Sequence, residues 1–207
     1  RTGVRFNEGV MPKLSQNEME ARRREIIAAA GRCFARKGIQ ATTMREIFAE
    51  AGMSAGAVYN YFKTKDDLIA AGIRDSTDEN VAALRGATDA EGRALGFRDL
   101  VEMFLLDLDA SRRDGRARST PMIHAEVAVK PDLLKMFQEG RQNIRIAARE
   151  KVLQMRPELT EAQAATLVDF VFLLYQGMVT EAALDEPTNI DGMREVIDLV
   201  LRRFPEA

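Results

Sequence analysis

Residues 42–65, TTMREIFAEAGMSAGAVYNYFKTK, decide the fold of this chain. Thr43 with Glu46 three residues later forms a capping box, a pairing that opens many helices. Apolar residues then recur at the spacing of one helical face, at Met44, Ile47, Phe48 and Ala51. The first half of the stretch therefore predicts a short helix over 43–51.

The second half of the stretch predicts another short helix, over 55–62. Gly52 follows the last apolar position of the first helix, where a left-handed residue is common, and Ser54 is a favourable N-cap. Val58 and Phe62 lie one turn apart and are expected to be buried, which turns the other positions largely outward. Two short helices joined by about three residues make the helix-turn-helix pattern, whose second helix enters the major groove of DNA.

These residues follow a longer pattern, T-x-R-E-I and then A-G-M-S-x-G-x-x-Y-x-Y-F-K-x-K-x-x-L. On this pattern the chain resembles the TetR family of one-component transcriptional regulators. The resemblance implies an all-α fold and a dimeric repressor that a small apolar or amphipathic ligand releases from a palindromic operator. Phe48 departs from the family, which usually has a small residue there. It is expected to alter the packing between the two helices without touching the DNA face.

The resemblance also assigns DNA contacts by position. Small residues at the start of the second helix allow close approach to a groove, whereas Tyr and Asn side chains reach base edges and lysines neutralise phosphates. The residues expected to face bases are Arg45, Ala55, Gly56, Tyr59 and Asn60. Those expected to contact phosphates are Thr42, Thr43, Tyr61, Lys63 and Lys65.

The whole chain divides into three predicted parts with about nine helices. Residues 1–16 lack periodicity and are expected to form an irregular arm, 17–65 a helix-turn-helix DNA-binding domain, and 66–207 a helical ligand-binding and dimerisation domain. A basic segment, 112–118, is expected to be a loop, either solvated or anion-binding. The remaining predicted helices are 17–37, 65–85, 97–110, 119–129, 131–155, 161–184 and a ninth that carries Met193, Val196, Ile197, Val200 and Phe204.

Charge is distributed unevenly along the chain, although the net charge is only −2. Residues 1–66 contain 12 Lys and Arg against 7 Asp and Glu, and the rest contains 18 against 25. A basic end on an acidic body is expected when only that end meets nucleic acid, although such asymmetry also arises by chance.

Enzymatic chemistry has little support in the sequence. Gly52 to Gly56 reads G-x-S-x-G, the nucleophile elbow of α/β-hydrolases, but that motif requires a strand before the serine and here a helix is predicted. His124 is the only histidine and Cys33 the only cysteine, so triads, zinc sites and disulfide frameworks lack partners. No catalytic residue, metal or cofactor is therefore expected.

The last helices predict an assembly of two chains. The section 167–179 is apolar nearly all round and needs two partners, one of which is the chain's own core. A homodimer through helices eight and nine supplies the other. The longest strongly apolar run, 170–179, is shorter than the about 20 residues that cross a bilayer, and no secretory signal is evident. A cytoplasmic protein with no membrane partner is expected.

The resemblance further implies a pocket for a small ligand among helices four to eight. Methionine and aromatic side chains adapt to apolar ligands, and a few polar groups orient them, although each such residue is equally a core residue. The candidates are Met103, Phe104, Met122, His124, Phe137, Phe170, Tyr175 and Met178. The alternative function is a helical small-molecule binding protein without DNA function.

Overall fold

The computed structural model describes residues 15–86, 95, 97–184 and 189–202. Over these ranges the chain forms nine α-helices and no strand, which confirms the predicted all-α fold. The predicted arm, 1–16, lies almost wholly outside the described residues. The helices are α1 Gln16–Lys37, α2 Met44–Glu50, α3 Ala55–Tyr59, α4 Lys65–Gly86, α5 Phe97–Asp114, α6 Arg116–Ala128, α7 Pro131–Met155, α8 Glu161–Ala183 and α9 Ile190–Arg202.

The first three helices, α1–α3, form the part that we call the head. The predicted capping box of Thr43 and Glu46 opens α2, and Ser54 accepts a hydrogen bond from the Ala57 amide at the start of α3. Gly52, between α2 and α3, has a φ of 64°, a left-handed value that favours glycine. Helix α3 ends at Tyr59, earlier than predicted. These local signals therefore set the helix-turn-helix geometry.

The head does not have a core of its own. One continuous apolar cluster joins buried residues of α1–α4 to Val127 of α6 and Leu133 of α7. Hydrophobic clusters of this kind usually mark one contiguous core. The head and the adjoining helices of the body, which we define as α5–α9, therefore share their interior.

Helix α7 packs its Gly140 against Thr77 of α4. A Cβ added to Gly140 would lie 2.5 Å from the Thr77 hydroxyl oxygen. A larger residue at position 140 would therefore displace the Thr77 side chain. This contact fixes α4, which leads from the head into the body, against the longest helix of the body.

The predicted basic loop at 112–118 is wrong. Helix α5 continues to Asp114 and α6 begins at Arg116, with only Gly115 between them at a φ of 81°. A single left-handed glycine can terminate one helix and redirect the chain, so no longer loop is needed. The arginines of this segment consequently lie on two helix ends.

Helix α8 has one face in the body and one face outside it. Ala164, Leu167 and Val168 are buried, as are Met178, Val179 and Ala182. By contrast Phe170 is 40 % exposed and Leu173 is 68 % exposed. By length and composition alone α8 could span a membrane, a test that core helices of soluble proteins also pass. The membrane test applies to the whole of α8, which has 23 residues, whereas the sequence argument considered only the strongly apolar run 170–179.

Candidate nucleic-acid interface

The residues predicted to face bases lie on the surface of the head. Arg45 on α2 is exposed, as are Ala55, Gly56, Tyr59 and the C-cap Asn60 of α3. Apart from Gly56 itself, its chain neighbours and its own helix backbone, no described atom lies within 4 Å of a Cβ added at Gly56, so this position is open. The described structure thus offers a helix with a small N-terminal surface and two larger polar groups behind it, the form that groove-reading helices take.

Tyr59 is held by the residue at which the sequence departs from the family pattern. Phe48 is buried, and its ring meets the Tyr59 ring edge-on, with centroids 4.9 Å apart and planes at 75°. Edge-to-face aromatic pairs contribute about 0.5–1.5 kcal/mol beyond burial. Phe48 therefore packs between the two helices as predicted, but it also fixes the orientation of a side chain assigned to base contact.

Ion pairs join α2 to α1 on the side away from α3. Glu50 accepts hydrogen bonds from Arg32 Nε at 2.7 Å and from Arg36 Nη2 at 2.5 Å. Arg36, and after it Arg32, lowers the pKa of the Glu50 carboxyl. Lys37 together with Thr43 lowers the pKa of Glu46 to about 2. These exposed pairs orient α2, although pairs of this kind contribute little to stability.

Two residues predicted to contact phosphates face the protein instead. Thr42 is 1 % exposed, and its hydroxyl donates to the Gly38 carbonyl at 2.7 Å. The side chain of Thr42 consequently cannot reach DNA. The Lys65 ammonium donates to the carbonyls of Ile39 at 2.6 Å and Thr42 at 2.9 Å. Both side chains hold the connection between α1 and α2, which places the start of α2.

The other predicted phosphate contacts are more accessible. Thr43 is exposed at the N-cap of α2 and shares its hydroxyl with Glu46. Tyr61 is half-buried against the head core, and Lys63 is exposed with its ammonium on the Tyr59 carbonyl. These three residues stay assigned to phosphates as a prediction.

Lys65→Met should lower the stability of the protein rather than its DNA affinity. Methionine keeps the apolar stem but leaves the carbonyls without a charged donor, which should cost about 1–3 kcal/mol of unfolding free energy. Urea unfolding measures this loss. Lys63→Met is the matched control, because Lys63 is exposed. Its replacement should flatten the salt dependence of DNA binding by about one phosphate contact. If Lys65→Met flattened the salt dependence at unchanged stability, the phosphate assignment would stand.

Comparison with known proteins places this geometry in a family. Residues 26–71, which span most of the head and the start of α4, match the family described as bacterial regulatory proteins, tetR family. The chain is 24 % identical to the uncharacterized HTH-type transcriptional regulator YfiR of Bacillus subtilis, over 95 % of this chain and 98 % of that protein. It is 42 % identical over 72 residues to the HTH-type transcriptional repressor Rv1474c of Mycobacterium tuberculosis, over 35 % and 38 % of the two chains.

The segment 26–71 of this chain belongs to the TetR family. The fold of the chain agrees, because the structure of Salmonella enterica GusR superposes with a TM-score of 0.70 at 20 % identity, covering 92 % of this chain and 99 % of that one. This TetR-family protein is accordingly a DNA-binding transcriptional regulator. Its relatives are regulators, which confirms the expectation that it is not an enzyme.

The TetR-family regulator contains a cavity of about 550 Å³ bounded by helices α1 and α4–α8. Among the predicted pocket residues, His124, Phe137 and Tyr175 line it. The side chains of Met103 and Phe104 lie outside the described part of the chain. The predictions for Met122, Phe170 and Met178 are corrected, since Met122 and Phe170 are more than a third exposed and Met178 is buried in the body core.

Polar groups at one end of the cavity are already paired. The Tyr175 hydroxyl donates to Asp107 Oδ2 at 2.9 Å, and Arg116 Nη2 donates to Asp107 Oδ1 at 3.2 Å. Burial, and then Asp107, raises the pKa of Tyr175, so the phenol stays protonated. Burial, and then Arg141, lowers the pKa of His124, which favours a neutral imidazole. The cavity lining therefore includes a neutral phenol and a neutral imidazole.

The sequence analysis missed several other cavity residues, among them Arg141 and the α1 residues Ile27 and Phe34. The pocket was predicted among helices four to eight, which left out α1, and no pattern in the predicted helix 131–155 marked Arg141. The presence of α1 side chains means that the cavity borders the head directly. No periodicity could have shown this, because it depends on how α1 packs on α6.

A polar link connects the head with the body beside the cavity. Gln40, after α1, donates to Glu126 Oε2 of α6 at 2.8 Å. The ammonium of Lys130, just after α6, bridges Glu126 at 2.6 Å and Asp66 of α4 at 2.5 Å. The end of α6 is thus tied both to the loop before α2 and to the helix after α3.

Proposed function

We propose that this regulator is a homodimeric repressor, acting in the cytoplasm, that binds a palindromic operator and is released by a small ligand. The observation that carries the DNA-binding part is the exposed surface of α3 and Arg45, with Tyr59 fixed by Phe48. Side chains fixed by packing lose less freedom on binding than mobile ones. The repressor relative from Mycobacterium tuberculosis supports the direction of regulation.

The dimer is supported by the outward face of α8. Phe170, Leu173 and Gly177 are exposed at helical spacing, and on α9 Val196 and Leu199 are exposed as well. Contiguous exposed apolar surfaces of this kind usually mark interaction sites. A two-fold axis beside α8 would bring each of these residues against the same surface of a second copy, forming a four-helix bundle. Two heads then present two recognition helices, which calls for a palindrome.

Release by a ligand is supported by the position of the cavity. Its walls include Ile27 and Phe34 of the head and Leu68 and Ile73 of α4. A molecule that fills the cavity acts on both helices that hold the head, and the link through Glu126 adds a second connection. Two such heads must keep a fixed spacing to span both half-sites, so a small tilt of each is enough to weaken binding.

Tyr59→Ala should abolish discrimination between operator and scrambled DNA while leaving the dimer intact. Tyr59 is 40 % exposed and its loss removes a base contact without opening the core, so specific affinity should fall by about 10–100-fold. Fluorescence anisotropy with a duplex selected from a random pool by the full chain measures this, against a scrambled duplex at two salt concentrations.

Ala82→Ser, at an exposed position of α4 that does not line the cavity, is the control and should bind as the parent chain does. Unchanged discrimination in Tyr59→Ala would remove Tyr59 from the base-reading residues. If the parent chain bound every sequence weakly and alike, the alternative of a helical ligand-binding protein without DNA function would be favoured.

A further inference from the structure

Arg141 is a cavity residue whose charge has no carboxylate partner among the described residues. Its guanidinium lies 5.4 Å from the Phe137 ring centroid and 5.9 Å from that of Phe172, so two aromatic faces flank it. Within the part of the chain that the structure describes, no carboxylate lies at ion-pair distance from it. The neighbouring Arg145, by contrast, donates to Asp169 at 2.8 Å.

The surroundings make this charge costly in the empty cavity. Arg141 is half-buried, and its burial together with the charge of Arg145 lowers its pKa. A desolvated cation without a counter-charge is unfavourable, and cation–π contacts recover only part of that cost. Of the carboxylates that line the cavity, Asp107 is held by Tyr175 and Arg116, and Glu79 is exposed at the rim.

The remainder of the cavity wall near the head is apolar. Ile27 and Phe34 of α1 and Ile69 and Ile73 of α4 supply branched and aromatic surface. A volume of about 550 Å³ lies in the range that holds one small organic molecule. The cavity therefore combines a single uncompensated cation, two aromatic rings and an apolar end.

We infer that the ligand of this cavity is a small amphipathic organic anion, whose carboxylate pairs with Arg141 between Phe137 and Phe172 and whose apolar part lies toward α1 and α4. This inference rests on the proposed function only in taking the cavity as the ligand site. A planar guanidinium binds a carboxylate through two parallel hydrogen bonds, which neither the neutral His124 nor the Tyr175 phenol can provide. The anion supplies the counter-charge that the described part of the chain does not give Arg141.

Matched pairs of probes test the charge requirement. Naphthylacetate and its neutral amide, naphthylacetamide, form one pair with a shared aromatic skeleton. Decanoate and decanol form a second pair with a shared linear chain. Isothermal titration with the full chain should show the carboxylate of at least one pair binding at least about tenfold more tightly than its neutral partner. In Arg141→Gln the two members of that pair should bind alike.

Arg145→Gln is the control, because Arg145 stacks on the same Phe172 ring at 4.9 Å but does not line the cavity. It should keep the preference for the carboxylate. Equal binding of acid and neutral partner to the parent chain, a preference that survives in Arg141→Gln, or no binding by either pair would each overturn the inference.

DNA binding is measured separately on the same proteins, so that the two proposals can fail independently. The operator titration of Arg141→Gln without probe should match that of the parent chain, because the described aromatic contacts of Arg141 are with Phe137 of α7 and Phe172 of α8. If the carboxylate preference appears but the probe leaves operator affinity unchanged, the anion site stands and release by this ligand is rejected. If operator binding is absent while the preference appears, the repressor proposal alone fails.

Discussion

Leu173→Glu is expected to convert the protein from a dimer to a monomer and to weaken operator binding by at least about a hundredfold. Leu173 is the most exposed large apolar residue on α8, at 68 %. In a two-fold dimer each copy meets the equivalent surface of the other, so the substitution would bury two like charges at the centre of the interface. Sedimentation equilibrium measures the first effect and fluorescence anisotropy the second.

The loss of DNA binding follows from the loss of the dimer. A second head on the same particle binds its half-site at a high effective concentration, and a monomer has no such advantage. Val129→Glu is the matched control, since Val129 is 75 % exposed but lies in the turn after α6, away from α8 and α9. A Leu173→Glu protein that stayed dimeric at the same concentration would exclude this face of α8 as the interface.

Phe48→Ala is expected to cost about 3–5 kcal/mol of unfolding free energy and to abolish specific DNA binding. The Phe48 side chain is buried between α2 and α3 in the cluster that the head shares with the body. Truncation leaves a cavity at that contact and removes the ring on which Tyr59 rests. Chemical unfolding monitored by circular dichroism gives the change in stability.

Phe48→Leu separates packing from orientation. Leucine fills most of the volume, so the unfolding free energy should fall by only about 1 kcal/mol, while the edge-to-face contact with Tyr59 disappears. Discrimination between operator and scrambled DNA should then fall although the head stays folded. If Phe48→Leu discriminated as well as the parent chain, Phe48 would be a packing residue alone.

Local sequence signals predicted the head well because its helix ends are determined by neighbouring residues. The capping box of Thr43 and Glu46, the left-handed Gly52 and the cap at Ser54 are all found as expected. The boundary between α5 and α6 was missed because a single residue, Gly115, replaces the expected loop. One glycine among several gives no local sign that two helices meet there.

The pocket could not be predicted residue by residue, because it depends on rotation and packing. Helix α8 is apolar on most sides, so its sequence does not show that Phe172 faces the cavity and Phe170 faces outward. Lys65 was assigned to a phosphate because it is basic and occupies the second lysine of the family pattern. Only the folded loop after α1 places its carbonyls around that ammonium.

The core that the head shares with α6 and α7 limits how this protein can be recombined with its relatives. Val127 and Leu133 fill the interior of the head from the body side, so a head cut out after α3 would leave apolar surface uncovered. A chimera that exchanges recognition helices between two regulators would have to transfer the facing turn of α6 and the start of α7 as well. The modular unit for engineering new operator specificity in this chain is therefore a patch of six helices, α1–α4 with parts of α6 and α7, and not the three helices of the head alone.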